Sequence, residues 1–434
     1  MTLAPSRPPA AAWPGLDVVP SGARAAVSAR IARRLFDAAV SRLDVTVVIA
    51  DPDRRRTLGR GGPVMTVHRP DEFFARIGRH QLIGFGEAYL TGAWDAEDLS
   101  GFLAVLAAQM PDLVPRNLQR LRAMVVARPP RMHRNSQRNT RDNIAHHYDL
   151  SNDLFGLFLD PSLNYSSALF ESEILSAGDH RQAAVPREGS DLHAAQLRKI
   201  DRLLDETRVC EGTRVLEIGT GWGELAIRAA HRGATVRTVT LSTEQKALAE
   251  QRIAAAGVAD RVDVELCDYR QLRPEDGRYD AVVSVEMIEA VGHQYWSTYF
   301  STIDRLLAPG GRVGIQAITM PHDRMLATRR TYTWINKYIF PGGFLPSVEA
   351  VEQVTSRDTT LRVANRLSMG LHYAETLRQW DEAFLAASRK VRALGFDETF
   401  ERMWHFYLEY SRAGFTSGYL DVQQLTLMRR EERA

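Results

Sequence analysis

The sequence predicts an α/β protein, a doubly wound parallel sheet with a smaller α+β domain ahead of it. Three observations carry this. Val215-Leu216-Glu217-Ile218-Gly219-Thr220-Gly221-Trp222-Gly223 reads as a buried strand, a glycine-rich turn and the entry to a helix over Glu224–His231. Strand patterns follow at Val236–Thr240 and Ala281–Val285, and Pro309-Gly310-Gly311 is a turn feeding another strand through Ile315. The 434 residues are also too many for one ordinary core.

The elements are taken in chain order. Residues 1–23 are rich in Pro and Ala and read as a mobile tail. Arg24 to Leu43 carries a helical apolar stripe of Val27, Ile31, Leu35, Ala38 and Ala39, with Arg30, Arg33, Arg34 and Arg42 around it. Asp44–Ala50 is strand-like, Asp51-Pro52-Asp53 is a turn, and Val64–His68 is a second strand. Helical patterns cover Phe73–Ile77 and Leu99–Ala108. The expected division is a small domain over 24–125, a basic linker over 126–142 and the sheet domain over 143–434.

Arg116 to Arg141 holds eight arginines and no acidic residue. It reads either as a solvated linker, broken by Pro129-Pro130, or as a patch for anionic lipid headgroups. Nucleic acid ranks last, because no aromatic residue is interleaved for base stacking. No apolar run approaches the ~20 residues that span a bilayer, and no N-terminal signal segment is visible. The two cysteines, Cys210 and Cys267, form no metal-ligand spacing, so no metal is expected and the cytoplasm is the default compartment. A charged fraction of 25% and a hydrophobic fraction of 44% suit a globular chain with formal charge +2.

Gly219, Gly221 and Gly223 allow positive φ and close approach of a ligand to the backbone, and the following helix start offers unpaired N–H groups. With the strand order above, the turn resembles that of the S-adenosylmethionine-dependent methyltransferases, which implies a Rossmann-like class I domain.

A narrower resemblance rests on longer motifs. They are Asn143-Ile144-Ala145-His146-His147-Tyr148-Asp149-Leu150-Ser151-Asn152-Asp153-Leu154-Phe155, Asn164-Tyr165-Ser166, and the run from Trp334 to Ser347. Gly86-Glu87-Ala88-Tyr89-Leu90-Thr91-Gly92-Ala93-Trp94 extends the likeness into the first domain. Together they resemble the cyclopropane-fatty-acyl-phospholipid synthases, with the mycolic acid cyclopropane synthases and methylene-branching enzymes among their relatives. The resemblance implies methylation of a carbon–carbon double bond in a lipid chain, with the first domain associated with lipid.

That family implies cofactor contacts at Gly219, Gly221, Gly223, Thr240 and Gln245, with Tyr165 and Ser166 near the methionine end. Asp268 and Tyr269, at the end of the third strand, can meet adenine. The second strand ends Val239-Thr240-Leu241-Ser242, without the usual acid for the ribose. Ser242 and Gln245 also fit a helix capping box, a purely structural alternative.

Alkene methylation leaves a carbocation, which needs a dry pocket, π-faces and a base. Aromatic candidates are Tyr332, Trp334, Tyr338, Phe340, Tyr373 and Phe415, each also a plausible core residue. In cyclopropane-forming members the base is thought to be bicarbonate held by Cys, Glu, His, Tyr and backbone groups. By local motif these positions are Ser167, Glu289, Gln316, Tyr373 and the backbone of Ile318, and the usual His after the Glu is Ala290. Ser and Gln can hydrogen-bond an oxyanion, but Gln cannot gain a proton. Bicarbonate therefore stays open as a cofactor. A slower or displaced base gives time for a hydride shift, so a methylene-branched product is expected over a cyclopropane. Glu289 orients an ion or acts as base, unless it is only a helix-surface carboxylate.

The remaining expectations follow from the resemblance: an unsaturated phospholipid substrate, peripheral association with the inner, anionic face of the membrane, a homodimer, and a separate reductase to saturate the methylene. His146 and His147 are adjacent and share no helix face, so they read as structural. Glu171–Asp191 looks inserted and has no assigned function. Two other classes compete. One is a lipid-binding protein without catalysis, disfavoured by the intact turn with Glu289 and Tyr373. The other is a methyltransferase for soluble small molecules, disfavoured by the basic first domain.

Overall fold

The computed structural model describes residues 13–51, 55–113, 151–177, 180–276 and 278–430. In chain order, the helices and strands up to the gap after 113 are α1 (Ala23–Val40), β1 (Thr46–Ala50), β2 (Arg55–Gly59), β3 (Val64–Val67), α2 (Pro70–Leu90), β4 (Trp94–Ala96) and α3 (Leu99–Leu113). Then come α4 (Asn152–Phe155), β5 (Ile174–Ala177), β6 (His180–Ala183), α5 (Leu192–Glu206), β7 (Arg214–Ile218), α6 (Glu224–His231), β8 (Thr235–Thr240), α7 (Thr243–Ala255) and β9 (Val262–Leu266). The rest are β10 (Tyr279–Val285), α8 (Ile288–Val291), α9 (Trp296–Leu306), β11 (Leu307–Thr319), α10 (His322–Thr328), α11 (Trp334–Tyr338), α12 (Val348–Asp358), β12 (Leu361–Ser368), α13 (Gly370–Ala386), α14 (Ser388–Ala393), α15 (Glu398–Thr416) and β13 (Asp421–Arg429).

Two compact units share these elements. Among the described residues, the first takes those up to 113 with Thr331–Ile339 and Asp381–Tyr419, and the second takes the others. The expected boundary, with everything from 143 onward in the sheet domain, is therefore corrected. The physical reason lies in two motifs far apart in sequence. A side-chain carbon on Gly86 would stand 2.5 Å from the Trp334 ring, so only glycine lets α2 and α11 approach. Beside it, the buried Glu87 carboxylate accepts from Lys337 Nζ and Tyr338 Oη and meets His80 Nδ1 at 3.0 Å. Burial alone would push Glu87 up, but His80 and Lys337 hold it at about 2.

The first unit's sheet has the order β2-β1-β3-β4, and Val47, Ile49, Met65 and Val67 point into its core. The tail expectation fails from residue 13 onward. The Trp13 indole donates to Asp397 at 2.7 Å, and buried Leu16 accepts from Arg76 through its carbonyl at 2.6 Å. Residues 1–12 lie outside the described residues, as do the Arg116–Arg141 run and 143–150 of the long motif. The α1 stripe is real but faces outward, with Val27, Ile31 and Leu35 56%, 54% and 56% exposed. The buried side is made of small residues, Ala25 and Ala32, because Gly78 of α2 packs against the Ser28 backbone.

The second unit is the expected doubly wound sheet. Nine strands run in the order β5-β6-β12-β13-β11-β10-β7-β8-β9. β11, β10, β7, β8 and β9 are parallel, and β13 runs antiparallel between β11 and β12. Alternation along the strands builds two cores. Val215, Ala281 and Val283 pack against α5 and α6, while Leu216, Ile218 and Val282 pack against α9 and α12. The chain order reverses between β7 and β10, which leaves a crevice at their carboxyl ends.

The inserted segment forms the β5–β6 hairpin, which extends the sheet beside β12. α13 holds it down. His372 Nε2 lies 2.9 Å from the Ala184 carbonyl, Glu375 accepts from Gly189 N–H at 3.0 Å, and Gln379 donates to the Ser190 carbonyl at 2.8 Å.

Candidate active site

The glycine turn leaves β7 at the reversal of strand order. Gly219, Gly221 and Gly223 have φ of 100°, 52° and 90°, values that a side chain would strain. A side-chain carbon on Gly221 would meet nothing within 4 Å, so the space beside the turn is open. Gly223 caps α6 without a side-chain hydrogen bond, leaving the first N–H groups for a ligand. The Trp222 indole turns away and donates to Asn152 at 2.8 Å, tying the turn to the end of the long motif.

At the end of β8, Thr240 Oγ donates to the Gln245 side-chain oxygen at 2.9 Å. Ser242 caps α7 through the Gln245 N–H, but the Gln245 side chain does not reciprocate, so the box is only half formed. After β9, Asp268 grips Arg270 by its N–H at 3.0 Å and by its guanidinium. Tyr269 meets Tyr299 edge-on, with Arg270 over its ring.

α5 positions the loop carrying Tyr165, Ser166 and Ser167. Gln196 donates to the Ser166 carbonyl at 2.9 Å, and Lys199 Nζ donates to Ser166 Oγ at 2.7 Å. Tyr165 stacks on Trp380 with centroids 5.3 Å apart.

The positions read as an anion site come together around a carboxylate of the chain. Gln316 Nε2 donates to the Ser167 carbonyl at 3.1 Å and to Glu286 Oε1 at 2.8 Å, while its oxygen accepts from Gln424 at 3.0 Å. Both amide hydrogens and the oxygen are thus engaged by the protein. Ser167 turns its hydroxyl to the Ala168 carbonyl at 3.1 Å and offers its N–H to Glu286 Oε1 at 2.9 Å. Tyr373 also favours the charged form of Glu286. The Ser167 N–H and the Gln316 amide, at two positions matched to the anion site, hold a carboxylate of the chain.

Glu286 has φ of 48°, left-handed backbone that costs a bulky residue ~1–3 kcal/mol. Burial pushes its carboxyl above the usual range, while Gln316, Ser167, the Lys199 charge and Tyr373 pull it back. Glu289, on the short α8, accepts from the Ile318 N–H at 2.5 Å through Oε1, and its buried Oε2 has no partner among the described residues. Burial, with the Glu286 charge added, pushes Glu289 up to about 8. Lys199 is fully buried, which pulls it down to about 8 against the charges of Glu286 and Asp160. Glu286 and Lys199 were not singled out from the sequence. A signal for Lys199 existed, since it falls on the apolar stripe Ala195, Lys199, Leu203 of α5.

The sequence profile of the mycolic acid cyclopropane synthetase family matches residues 135–425. The chain belongs to this family. It is 52% identical over 99% of both chains to tuberculostearic acid methyltransferase UfaA1 of Mycobacterium tuberculosis. It is 33% identical to the cyclopropane-fatty-acyl-phospholipid synthase of Escherichia coli, over 84% of this chain and 87% of that one. The solved mycolic acid cyclopropane synthase CmaA1, complexed with SAH and CTAB, superposes with a TM-score of 0.57 at 31% identity, covering 69% of this chain and 98% of that one. Like its relatives in the cyclopropane synthetase family, the protein is an S-adenosylmethionine-dependent methyltransferase with a class I Rossmann-like domain.

The residues present fit the cofactor. The open side of Gly221 and the uncapped N–H groups of α6 suit its carboxylate end, and Thr240 with Gln245 offers polar groups at the end of the neighbouring strand. Bound there, S-adenosylmethionine supplies an electrophilic methyl on a sulfonium. The chain's own part would be to hold it at the glycine turn, with the half-buried Glu286 and Glu289 after the neighbouring strand β10, and to exclude water from the reacting carbons.

Proposed function

We propose that the enzyme methylates the double bond of unsaturated fatty acyl chains in phospholipids and releases a methylene-branched chain. The observation that carries this reading is the filled anion cradle. Gln316 and the Ser167 N–H are spent on Glu286, which leaves few donors for a dissolved bicarbonate. Ring closure needs a base on the new methyl before the cation rearranges. A weaker base fixed in the chain gives the cation time for a hydride shift to the tertiary centre, and then proton loss to an exocyclic alkene. The name of the 52% identical relative, a tuberculostearic acid methyltransferase, supports the same direction. A separate reductase would saturate the product.

The test uses purified protein, S-adenosylmethionine and oleoyl phospholipid without a reductase. Proton NMR should show vinylidene signals. Upfield cyclopropane protons alone would return the cyclopropane synthase reading.

Work at an anionic membrane surface is part of the proposal. Among the described residues no helix is long and apolar enough to cross a membrane. The exposed stripe Val27, Ile31 and Leu35 of α1, beside exposed Arg24, Arg30 and Arg34, supports docking by that helix.

A further inference from the structure

Two of the positions that the family resemblance assigns to a dissolved anion, Ser167 and Gln316, direct N–H donors to one side chain. Gln316 Nε2 and the Ser167 N–H both reach Glu286 Oε1, at 2.8 and 2.9 Å, and Tyr373 favours the charged form of the same carboxylate. The Glu286 N–H is itself pinned to the Gln316 carbonyl at 2.8 Å. The carboxylate is thus oriented by two elements, the Ser167 loop and β11. It follows the last residue of β10, at the carboxyl end of the sheet where the cofactor turn also opens.

A bulky residue at φ 48° is uncommon, and such backbone concentrates at functional sites. The charged groups acting on Glu286 are Lys199 from α5 and Glu289 from α8. Lys199 is the cation of the set, with 0% exposure, and among the described residues its side chain hydrogen-bonds the Ser166 hydroxyl.

We propose that Glu286 is the base that removes the proton after methylation, doing within the chain what a dissolved anion would do, and that Lys199 is the positioning residue that keeps it ionised. This rests on the double-bond reading above. The step balances. The alkene π-pair forms a bond to the methyl carbon as the sulfur–methyl bond breaks, leaving the sulfur neutral and the adjacent chain carbon cationic. A 1,2-hydride shift moves the charge to the carbon bearing the new methyl. A methyl C–H bond then breaks, its electron pair becomes the exocyclic π-bond, and the proton goes to a Glu286 carboxylate oxygen. That proton passes to water once the product leaves. No oxidant or reductant is consumed.

The full-length purified enzyme is assayed with S-adenosylmethionine and oleoyl phospholipid vesicles, following methyl incorporation and product NMR. Glu286→Gln should lower turnover at least a hundredfold, the scale of general-base catalysis, with cofactor affinity by calorimetry within about threefold. Glu286→Asp should keep a measurable fraction of the rate. Glu286→Gly, whose backbone suits the position, should regain part of its rate in sodium formate. Turnover of Glu286→Gln within tenfold of wild type, or a wild-type rate that depends on added bicarbonate, would overturn the assignment. Should the amide variant fail to fold by circular dichroism, Glu286→Gly with and without formate decides. Lys199→Met should move the acid limb of the kcat profile to higher pH, with activity recovering as pH rises. An unshifted limb overturns the role of Lys199. A cyclopropane product from the wild type would instead defeat the double-bond reading's methylene outcome, whatever the variants do.

Discussion

Single residues decide the chemistry at two points. Gly221 is the first, because its φ of 52° and the open space beside it leave room for a ligand where a side chain would stand. Gly221→Val should abolish cofactor binding while far-UV circular dichroism stays close to wild type. Unchanged affinity by calorimetry would move the site elsewhere. Glu217 is the second. It lies buried in β7 beside the Thr238 hydroxyl at 2.6 Å, and burial pushes it up to about 8 against that single hydrogen bond. The sign follows from linkage: a carboxyl raised in the fold keeps its proton while the unfolded chain has lost it. Its contribution is therefore full below the ordinary carboxylate range and is lost as pH rises towards 8. Glu217→Gln should remove a pH-dependent loss on the order of a few kcal/mol between about pH 5 and 8. Melting curves across that window test it, and parallel curves for both proteins would show that Glu217 does not titrate there. Glu289 adds to the same slope, so the variant should flatten the wild-type curve only partly.

Elements show where periodicity is informative and where it misleads. The strand, turn and helix around Gly219 were legible because each rests on neighbours in sequence, and α6 spans Glu224–His231 as expected. The α1 stripe was equally legible as a period, but not its direction. Val27, Ile31 and Leu35 face outward because the Ala25 and Ala32 side allows a closer approach to α2. Replacing all three with Ser should weaken sedimentation with anionic vesicles at least tenfold and leave the melting temperature nearly unchanged. Each exposed arginine beside them adds up to ~1 kcal/mol at low salt. Unaltered binding to vesicles, with loss of self-association instead, would make the stripe a contact between copies of the chain. The β5–β6 hairpin was read only as an insertion. Its role as a sheet edge depends on His372, Glu375 and Gln379, which lie nearly two hundred residues away.

At the scale of the molecule, the first unit is completed by late segments of the chain. Arg402 of α15 donates to the Tyr89 carbonyl at 2.8 Å and pairs with Asp95 at 2.6 Å, and Trp334 of α11 packs on Phe406 with centroids 4.8 Å apart. A chain starting near residue 130 should therefore strip the cover from α11 and α15. It should express largely insoluble or melt well below the full protein, and a soluble truncation with an unchanged melting temperature would contradict this. The sequence by itself determined the cofactor turn and its flanking strands, because these depend on backbone freedom at glycines and on short-range alternation of apolar residues, and its long motifs carried the family resemblance. The family resemblance implied Glu289, Tyr373, Ser167 and Gln316 as neighbours in one site. Only the tertiary structure decided what those groups face. Ser167 and Glu286 are 119 residues apart, and Gln316 is 30 beyond Glu286. Which donor meets which carboxylate is set by the packing of β10, β11 and the α5-held loop, and no local pattern encodes that distance. The same holds for Lys199, whose charge became part of the site only when α5 closed over the sheet and removed it from water.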